Sequence, residues 1–189
     1  MQTSSKGINL IKEFEGLQLT AYMDPAGVPT IGYGHTKDVV MGTSISIEDA
    51  ERFLQSDILW AEAAVNVWRF QYNFNQNQYD ALVSFTYNCG EDSLWNLLKN
   101  GHRTIEEIAQ ALPLYCHDIN GTKLDGLVRR RNAELELFNT PTSETPEKVY
   151  VTVMDVVRGI WNGDFGNNEE RKENLYNYFQ KLVNEGRPD

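Results

Sequence analysis

Residues 14–36 read FEGLQLTAYMDPAGVPTIGYGHT, and the period of the apolar residues changes within this stretch. Up to its start, apolar residues recur at helical spacing, which predicts a short amphipathic helix that ends near Gly16. Apolar residues then alternate into residues 24–27, Asp-Pro-Ala-Gly, a good type I turn sequence, and residues 30–34 lead back out. The stretch therefore predicts one helix followed by a small β-hairpin.

The remainder of the first 138 residues carries helical signals. An apolar stripe behind Ser46 predicts one long helix, and its members are Ala50, Phe53, Leu54, Ile58, Ala61, Val65 and Trp68. Further helices are predicted from about Gln76, from the Thr104-x-x-Glu107 capping box and over residues 127–138. We therefore expect an α+β fold, in which a mostly helical domain contains one small β-hairpin sheet.

The local composition of the chain changes once, at residues 139–147. This segment reads NTPTSETPE, and its two prolines and small polar residues predict a linker. Behind it, residues 148–189 carry two runs of apolar residues at helical spacing, which predict a pair of amphipathic helices. The expected organisation is a main domain over residues 1–138, a linker over 139–147 and a small C-terminal helical module over 148–189.

Composition excludes several classes of protein. The chain has 189 residues and a net charge of −10, which argues against a nucleic-acid partner because phosphate contacts require clustered Lys and Arg. The two cysteines, Cys89 and Cys116, fit neither a disulfide framework nor a metal site, so we expect both to be buried. We also expect no cofactor. Without an apolar segment that resembles a signal peptide or membrane span, we expect synthesis in the cytoplasm, no membrane insertion and a monomer.

Two carboxylates in the opening segment suggest acid and base chemistry. Glu15 lies where the first helix should end, and the partial negative charge of the terminal carbonyl groups favours its protonated form. Asp24 heads an exposed turn and should stay ionised, while the Thr30 hydroxyl could orient a water molecule between the two acids. Each residue also has an ordinary explanation: Glu15 as solvated surface, Asp24 as a turn former and Thr30 as a strand residue.

A family resemblance favours the catalytic reading. The runs Phe14-Glu15-Gly16, Ala21-Tyr22-x-Asp24 and Thr30-Ile31-Gly32-Tyr33-Gly34-His35-Thr36 resemble the N-terminal signature of the phage-type lysozymes, glycoside hydrolase family 24. Residues 78–88, QYDALVSFTYN, and 126–134, GLVRRRNAE, resemble later helices of that family. The resemblance covers roughly residues 5–138 and implies a lysozyme-like domain.

The resemblance also implies an activity. Glu15 would be the general acid, Asp24 the general base, and Thr30 would help to hold the attacking water. The substrate would be bacterial peptidoglycan, cut with inversion between N-acetylmuramic acid and N-acetylglucosamine. A phage-encoded enzyme of this kind would need a holin or another membrane lesion to reach the cell wall.

The C-terminal module contains a second resemblance. Residues 163–172, GDFGNNEERK, resemble the short cell-wall-binding repeat that often follows phage lysozyme and amidase domains, although Asn168 stands where glycine is usual. Trp161, Asn168 and Arg171 are the candidate contacts to the wall. The alternative is a helical hairpin that packs on the main domain and only stabilises it.

Competing interpretations concern both the whole protein and single residues. A catalytically silent wall-binding or phage structural protein could keep the same fold, and a lytic transglycosylase would use one acid and release an anhydro sugar. His35 is expected to hold the base of the hairpin, with a role as catalytic base as the alternative. Arg129 to Arg131 are expected to lie on a helix surface, with substrate binding as the alternative. The aromatic residues are expected in the core, with Tyr72 or Phe74 as alternative cleft-lining residues; the series is Trp60, Trp68, Phe70, Tyr72 and Phe74.

Overall fold

A computed structural model of the protein describes residues 1–118, 120–142, 173–174 and 176–177. Two strands and seven α-helices are formed in the first two ranges. They are α1 (Ser5–Glu15), β1 (Gln18–Met23), β2 (Pro29–Gly32), α2 (Ile47–Asp57), α3 (Leu59–Val67), α4 (Gln76–Cys89), α5 (Glu91–Leu98), α6 (Ile105–Ala111) and α7 (Asp125–Asn139). The expected mostly helical fold with one small sheet is confirmed for the described residues.

The hairpin forms where residues 14–36 predict it. Strands β1 and β2 pair antiparallel, with Tyr22 opposite Thr30 and Met23 opposite Pro29. The amide of Gly27 donates to the carbonyl of Asp24 at 2.9 Å, which closes the tight turn between the strands. The turn therefore places Asp24 at the tip of the hairpin and Thr30 on its returning strand.

Side-chain caps start several helices. Ser46 with Asp49, Asn75 with Gln78 and Thr104 with Glu107 each form a reciprocal capping box, so the box predicted from the Thr104 motif is confirmed. The single long helix predicted behind Ser46 is wrong, because the segment divides at Ile58, where ψ opens to −14°. Helix α5 has no counterpart among the predicted helices.

Helix α4 is the centre of the core. Every side chain from Tyr79 to Thr86 is buried, and the helix packs against α1, α3, α5 and α7. A helix that is covered on all sides loses the amphipathic pattern by which surface helices are recognised. These four helices therefore surround α4, while α6 packs on α5 and α7, and the hairpin joins the helices through α2.

The crossing of α1 and α4 is close and polar. The fully buried Asp80 of α4 accepts hydrogen bonds from the Ser4 amide at 2.9 Å, the Ser4 hydroxyl, and the Gln76 side chain at 2.8 Å. Gly7 faces the same carboxylate, and a Cβ atom placed there would lie 2.8 Å from Cβ of Asp80. The start of α1 is thereby fixed, which fixes the direction in which its last residue, Glu15, projects.

The end of α7 is tied back to the core, where Nδ2 of the Asn77 side chain donates to the carbonyl of Thr140 at 2.9 Å. Most of the predicted linker and C-terminal module lies outside the described residues, and so do Trp161, Asn168 and Arg171. The described tail residues 173, 174, 176 and 177 are helical. Across the helices of the described ranges, none combines the length and apolarity that a bilayer span requires.

The close crossing generates a prediction about stability. Helix propensity alone would make Gly7→Ala stabilising, but the added methyl would lie 2.6 Å from Thr3 Cγ2 and 2.8 Å from Asp80 Cβ. We expect overpacking to win and the free energy of unfolding to fall by about 1–3 kcal/mol in urea titrations. Gly126→Ala is the matched control, because Gly126 lies in α7 and a Cβ added there would meet no neighbouring atom within 4 Å. Its free energy of unfolding should rise by roughly 0.5 kcal/mol. A Gly7→Ala variant as stable as Gly126→Ala would show that the crossing can relax.

Candidate active site

Glu15 is the last residue of α1, which Gly16 terminates with a φ of 71°. Its Oε1 atom accepts a hydrogen bond from Nη1 of Arg130 on α7 at 2.7 Å. Its Oε2 atom faces the loop after β2 and lies 3.7 Å from the point where Gly34 would carry a Cβ. The side chain is 23% exposed, so the carboxyl group is held between α7 and the hairpin while one side stays open to solvent.

The contact with Arg130 changes the electrostatics expected at Glu15. The end of α1 directs partial negative charge at the carboxyl group, which was the physical ground for expecting a protonated acid. A guanidinium at hydrogen-bond distance acts in the opposite direction, because it makes a charge-assisted bond to the carboxylate. Glu15 is therefore placed between two opposing influences, one from its own helix and one from α7.

Asp24 and Thr30 are brought together through one residue, Val28. The Asp24 amide donates to the Val28 carbonyl at 3.0 Å, and the Val28 amide donates back to Oδ1 of Asp24 at 2.8 Å. The Thr30 hydroxyl donates to the same Val28 carbonyl at 3.0 Å. Thr30 is 4% exposed, whereas Asp24 is half-buried at the tip of the turn. The two side chains predicted to handle water are thus parts of one hydrogen-bonded loop.

The prediction of a surface position for all of Arg129 to Arg131 is wrong. Arg129 is exposed, but Arg130 is only 4% exposed and Arg131 is fully buried beside the equally buried Glu134. Arg130 Nε lies 3.2 Å from Glu134 Oε1, and Arg131 Nε lies 2.9 Å from Glu134 Oε2. Burial raises the pKa of Glu134, while Arg131 and Arg130 act to lower it.

Sequence reasoning missed this cluster although a signal was present. Consecutive residues point about 100° apart around a helix, so three successive arginines cannot share one face. Arg130 and Arg131 stand four and three residues before Glu134, which is the spacing of helical ion pairs, and Glu134 stands four residues before the buried Phe138. That register predicts at least one buried arginine.

His35 holds the base of the hairpin, as expected. Its Nδ1 atom lies 2.8 Å from Oδ2 of Asp57, and its ring stacks on Phe53 with a centroid separation of 4.4 Å. Its backbone exchanges hydrogen bonds of 2.9 Å with Ile31. These contacts fasten the loop after β2 to α2, and the imidazole is thereby committed to structure.

The expectations for aromatic residues and cysteines are confirmed in part. Trp68, Tyr72 and Phe74 are buried, which also removes Tyr72 and Phe74 as cleft-lining residues, but Trp60 is 46% exposed. Burial raises the pKa of Tyr72 to about 12, and its hydroxyl donates to the Arg103 carbonyl.

Cys116 is buried as expected. The expectation that Cys89 is buried is wrong: it is only half-buried, and its Sγ atom accepts a hydrogen bond from Arg131 at 2.7 Å. It therefore belongs to the polar surroundings of the arginine cluster.

Comparisons with known proteins place this arrangement in a family. Residues 12–134 match the phage lysozyme family model. The endolysin of Acyrthosiphon pisum secondary endosymbiont phage 1 is 40% identical over 146 residues, which span 74% of this chain and 99% of that protein. The endolysin of Lactococcus phage c2 is 41% identical over 151 residues, spanning 76% of this chain and 62% of that longer protein.

A solved structure gives the same result for the fold. The muramidase domain of SpmX from Asticaccaulis excentricus superposes with a TM-score of 0.66 at 38% sequence identity. The match covers 74% of this chain and 99% of that domain. The matched family segment contains Glu15, the hairpin and the arginine cluster, and the chain therefore belongs to the phage lysozyme family, as a lysozyme-type glycoside hydrolase.

Proposed function

We propose that this lysozyme, an endolysin that hydrolyses peptidoglycan, cuts the β-1,4 bond between N-acetylmuramic acid and N-acetylglucosamine with inversion, as a member of glycoside hydrolase family 24. Glu15 is the general acid, Asp24 the general base, and Thr30 helps to orient the attacking water. One observation supports these assignments: the Glu15 carboxyl group is held by Arg130 and lies against Gly34, in the loop that continues from β2, the strand that carries Thr30.

Glu15 and Arg130 have different roles in the acid step. Glu15 gives its proton to the glycosidic oxygen as that bond breaks, and the carboxylate left behind is the form that Arg130 binds at 2.7 Å. The ion pair of the free enzyme thus resembles the state that follows proton transfer, in which the new negative charge is already compensated. Uptake of a proton from solvent through the exposed side of Glu15 returns the acid for the next cycle.

Asp24 and Thr30 act on the water. Because Oδ1 of Asp24 accepts the Val28 amide, Oδ2 is the atom assigned to take the proton of the attacking water. The Thr30 hydroxyl uses its proton on the Val28 carbonyl, so its oxygen is left to accept a hydrogen bond from that water. Inversion requires roughly 6.5–9.5 Å between the two carboxyl groups, enough for the water to stand between them.

We also propose that residues 148–189 form a separate module that binds the wall through Trp161, Asn168 and Arg171, joined to residues 1–138 by the linker over 139–147. The support is the sequence pattern of the tail together with the charge of the chain. At a net charge of −10, the enzyme gains no long-range attraction to an anionic wall, so a dedicated module would supply the contact. The same proposal includes a monomeric enzyme that reaches the wall after a holin opens the membrane.

The assignment of the acid is tested with Glu15→Gln, which keeps the shape of the side chain and removes its proton chemistry. We expect the rate of clearing of purified peptidoglycan to fall by about 10²- to 10⁴-fold. Glu13→Gln is the matched control, because Glu13 is an exposed residue of the same helix, and it should digest normally. Product mass adds a second readout: hydrated reducing ends support hydrolysis, anhydro sugars would indicate a transglycosylase, and normal digestion by Glu15→Gln would reject the assignment.

The position of Gly34 generates a second test. Gly34 and Gly42 have nearly equal φ angles of 89° and 88°, so alanine at either position should cost about 1–2 kcal/mol of stability through backbone strain. Only Gly34 lies against Glu15, whereas a Cβ on Gly42 meets nothing within 4 Å. We expect similar losses in thermal unfolding but a severalfold drop in kcat for Gly34→Ala alone, because its methyl group would contact Oε2 of Glu15 at 3.7 Å and occupy space beside the proposed acid. Equal activities of the two variants would mean that Gly34 does not set the acid's surroundings.

The tail module is tested by truncation after Thr140 in the Glu15→Gln background, which prevents digestion during the measurement. Intact and truncated chains are sedimented with purified peptidoglycan over a range of salt concentrations, after thermal unfolding has shown that the truncated chain folds. We expect the truncated chain to stay largely in the supernatant. Co-sedimentation equal to that of the intact chain would exclude a wall-binding role for residues 141–189.

A further inference from the structure

We propose that Glu134 is a positioning residue for the acid, acting through Arg130 to hold the Glu15 carboxyl group and to set the charge around it. The inference rests on the proposed role of Glu15 as general acid. It concerns a residue that touches neither substrate nor Glu15 in this structure, and its effect is transmitted by a chain of buried polar contacts.

The first step is the anchoring of Glu134 itself. It is fully buried on α7, and Ser84 of α4 donates its hydroxyl to Oε1 at 2.8 Å. Arg131 donates to the same oxygen from Nη2 at 3.0 Å. Arg131 is in turn held by the Asn88 side chain at 3.0 Å and by its position over the ring of Phe85. Glu134 is therefore fixed by two helices and has little freedom to move.

The second step is the orientation of Arg130. Its Nε atom donates to Glu134, its Nη2 atom donates to the Ser84 carbonyl at 3.3 Å, and its Nη1 atom donates to Glu15. All three nitrogens of the planar guanidinium thus have fixed partners. Because Nε and Nη2 are held by buried groups, the direction in which Nη1 points toward Glu15 is fixed.

The third step is the charge balance. Arg130 and Arg131 carry two positive charges, and Glu134 and Glu15 carry two negative charges when both are ionised. When Glu15 takes up the proton that it needs as an acid, only Glu134 remains to balance the two buried arginines. Without Glu134, both arginines would favour the ionised form of Glu15 and would make the acid lose its proton too readily.

The other ionisable groups around Glu15 have partners of their own, which removal of Glu134 would leave in place. On its own helix Lys12 is paired with Glu51, and Tyr87 of α4 donates its hydroxyl to the Tyr33 carbonyl. His35 is paired with Asp57, and Asp24 is bound to the Val28 amide. Glu134 is the anion that shares Arg130 with Glu15, and it is therefore the residue whose charge should act on Glu15 most directly.

The test compares Glu134→Gln with wild type in digestion rates measured across pH. We expect kcat to fall by at least about tenfold with KM within about twofold, because the loss concerns proton transfer and not substrate binding. The alkaline limb of kcat/KM should move to lower pH, since that limb reports loss of the proton from the acid. Glu136→Gln is the matched control: it removes the same charge from an exposed site on the same helix and should leave the limb in place.

Glu134→Asp and Ser84→Ala keep the test decisive if the Gln variant does not fold. Glu134→Asp retains the charge, so the alkaline limb should stay at its wild-type position while kcat falls through the shorter reach. Ser84→Ala retains all four charges and removes one hydrogen bond, and it should lower kcat severalfold with the limb unmoved. A wild-type kcat in both of these folded variants would overturn the proposal.

The same series separates this inference from the proposed function. If Glu15→Gln is inactive while Glu134→Gln folds and keeps a wild-type pH profile, only the positioning role of Glu134 is rejected. If Glu136→Gln shifts the limb as far as Glu134→Gln does, the effect is one of overall charge and the inference is also rejected. If Glu15→Gln itself stays active, the proposed function fails whatever the outcome for Glu134.

Discussion

The ion pair between Arg130 and Glu15 is the contact on which the site depends. It joins the end of α1 to α7 at 2.7 Å, and its arginine is buried deeply enough that it must be balanced by carboxylates. Further contacts lead from this pair into the core: Arg130 donates to Glu134, and Glu134 is bound by Ser84 and paired with Arg131. The central helix α4, which carries Ser84, holds this cluster in place. The position of Glu15, the proposed acid, therefore depends on the core and in particular on the packing of α4 against α7.

Asp24 and Thr30, the residues proposed to handle water, are held in a different way. Both lie in a small hairpin, where hydrogen bonds to the peptide groups of Val28 hold them. The hairpin is fastened from outside, by the contacts of His35 with Asp57 and Phe53 on α2. Glu15, the proposed acid, thus ends a helix, whereas Asp24, the proposed base, lies in a turn. The loop after β2 lies against the Glu15 carboxyl group at Gly34, where an added Cβ would stand 3.7 Å from Oε2.

Local signals in the sequence predicted the parts of the fold that depend on neighbouring residues. The turn at 24–27 and the Thr104 capping box were readable because turn and cap chemistry acts over three or four residues. The positions of Glu15, Asp24 and Thr30 followed from the same local pattern, although their catalytic roles came from family resemblance. The burial of Arg130 and Glu134 was not predicted, because it results from the packing of α7 on α4, two helices that lie far apart in the sequence. The division at Ile58 was missed because the apolar stripe continues across it.

The link through Val28 between Asp24 and Thr30, the two residues proposed to handle water, determines how this segment tolerates change. Both links use the peptide groups of Val28 and neither uses its side chain; the residue is 39% exposed. Most residues at position 28 would provide the same amide and carbonyl, so the chemical identity of that position is only weakly constrained. The length of the turn is constrained strongly, because one inserted or deleted residue would separate Asp24 from Thr30 and dismantle both links together.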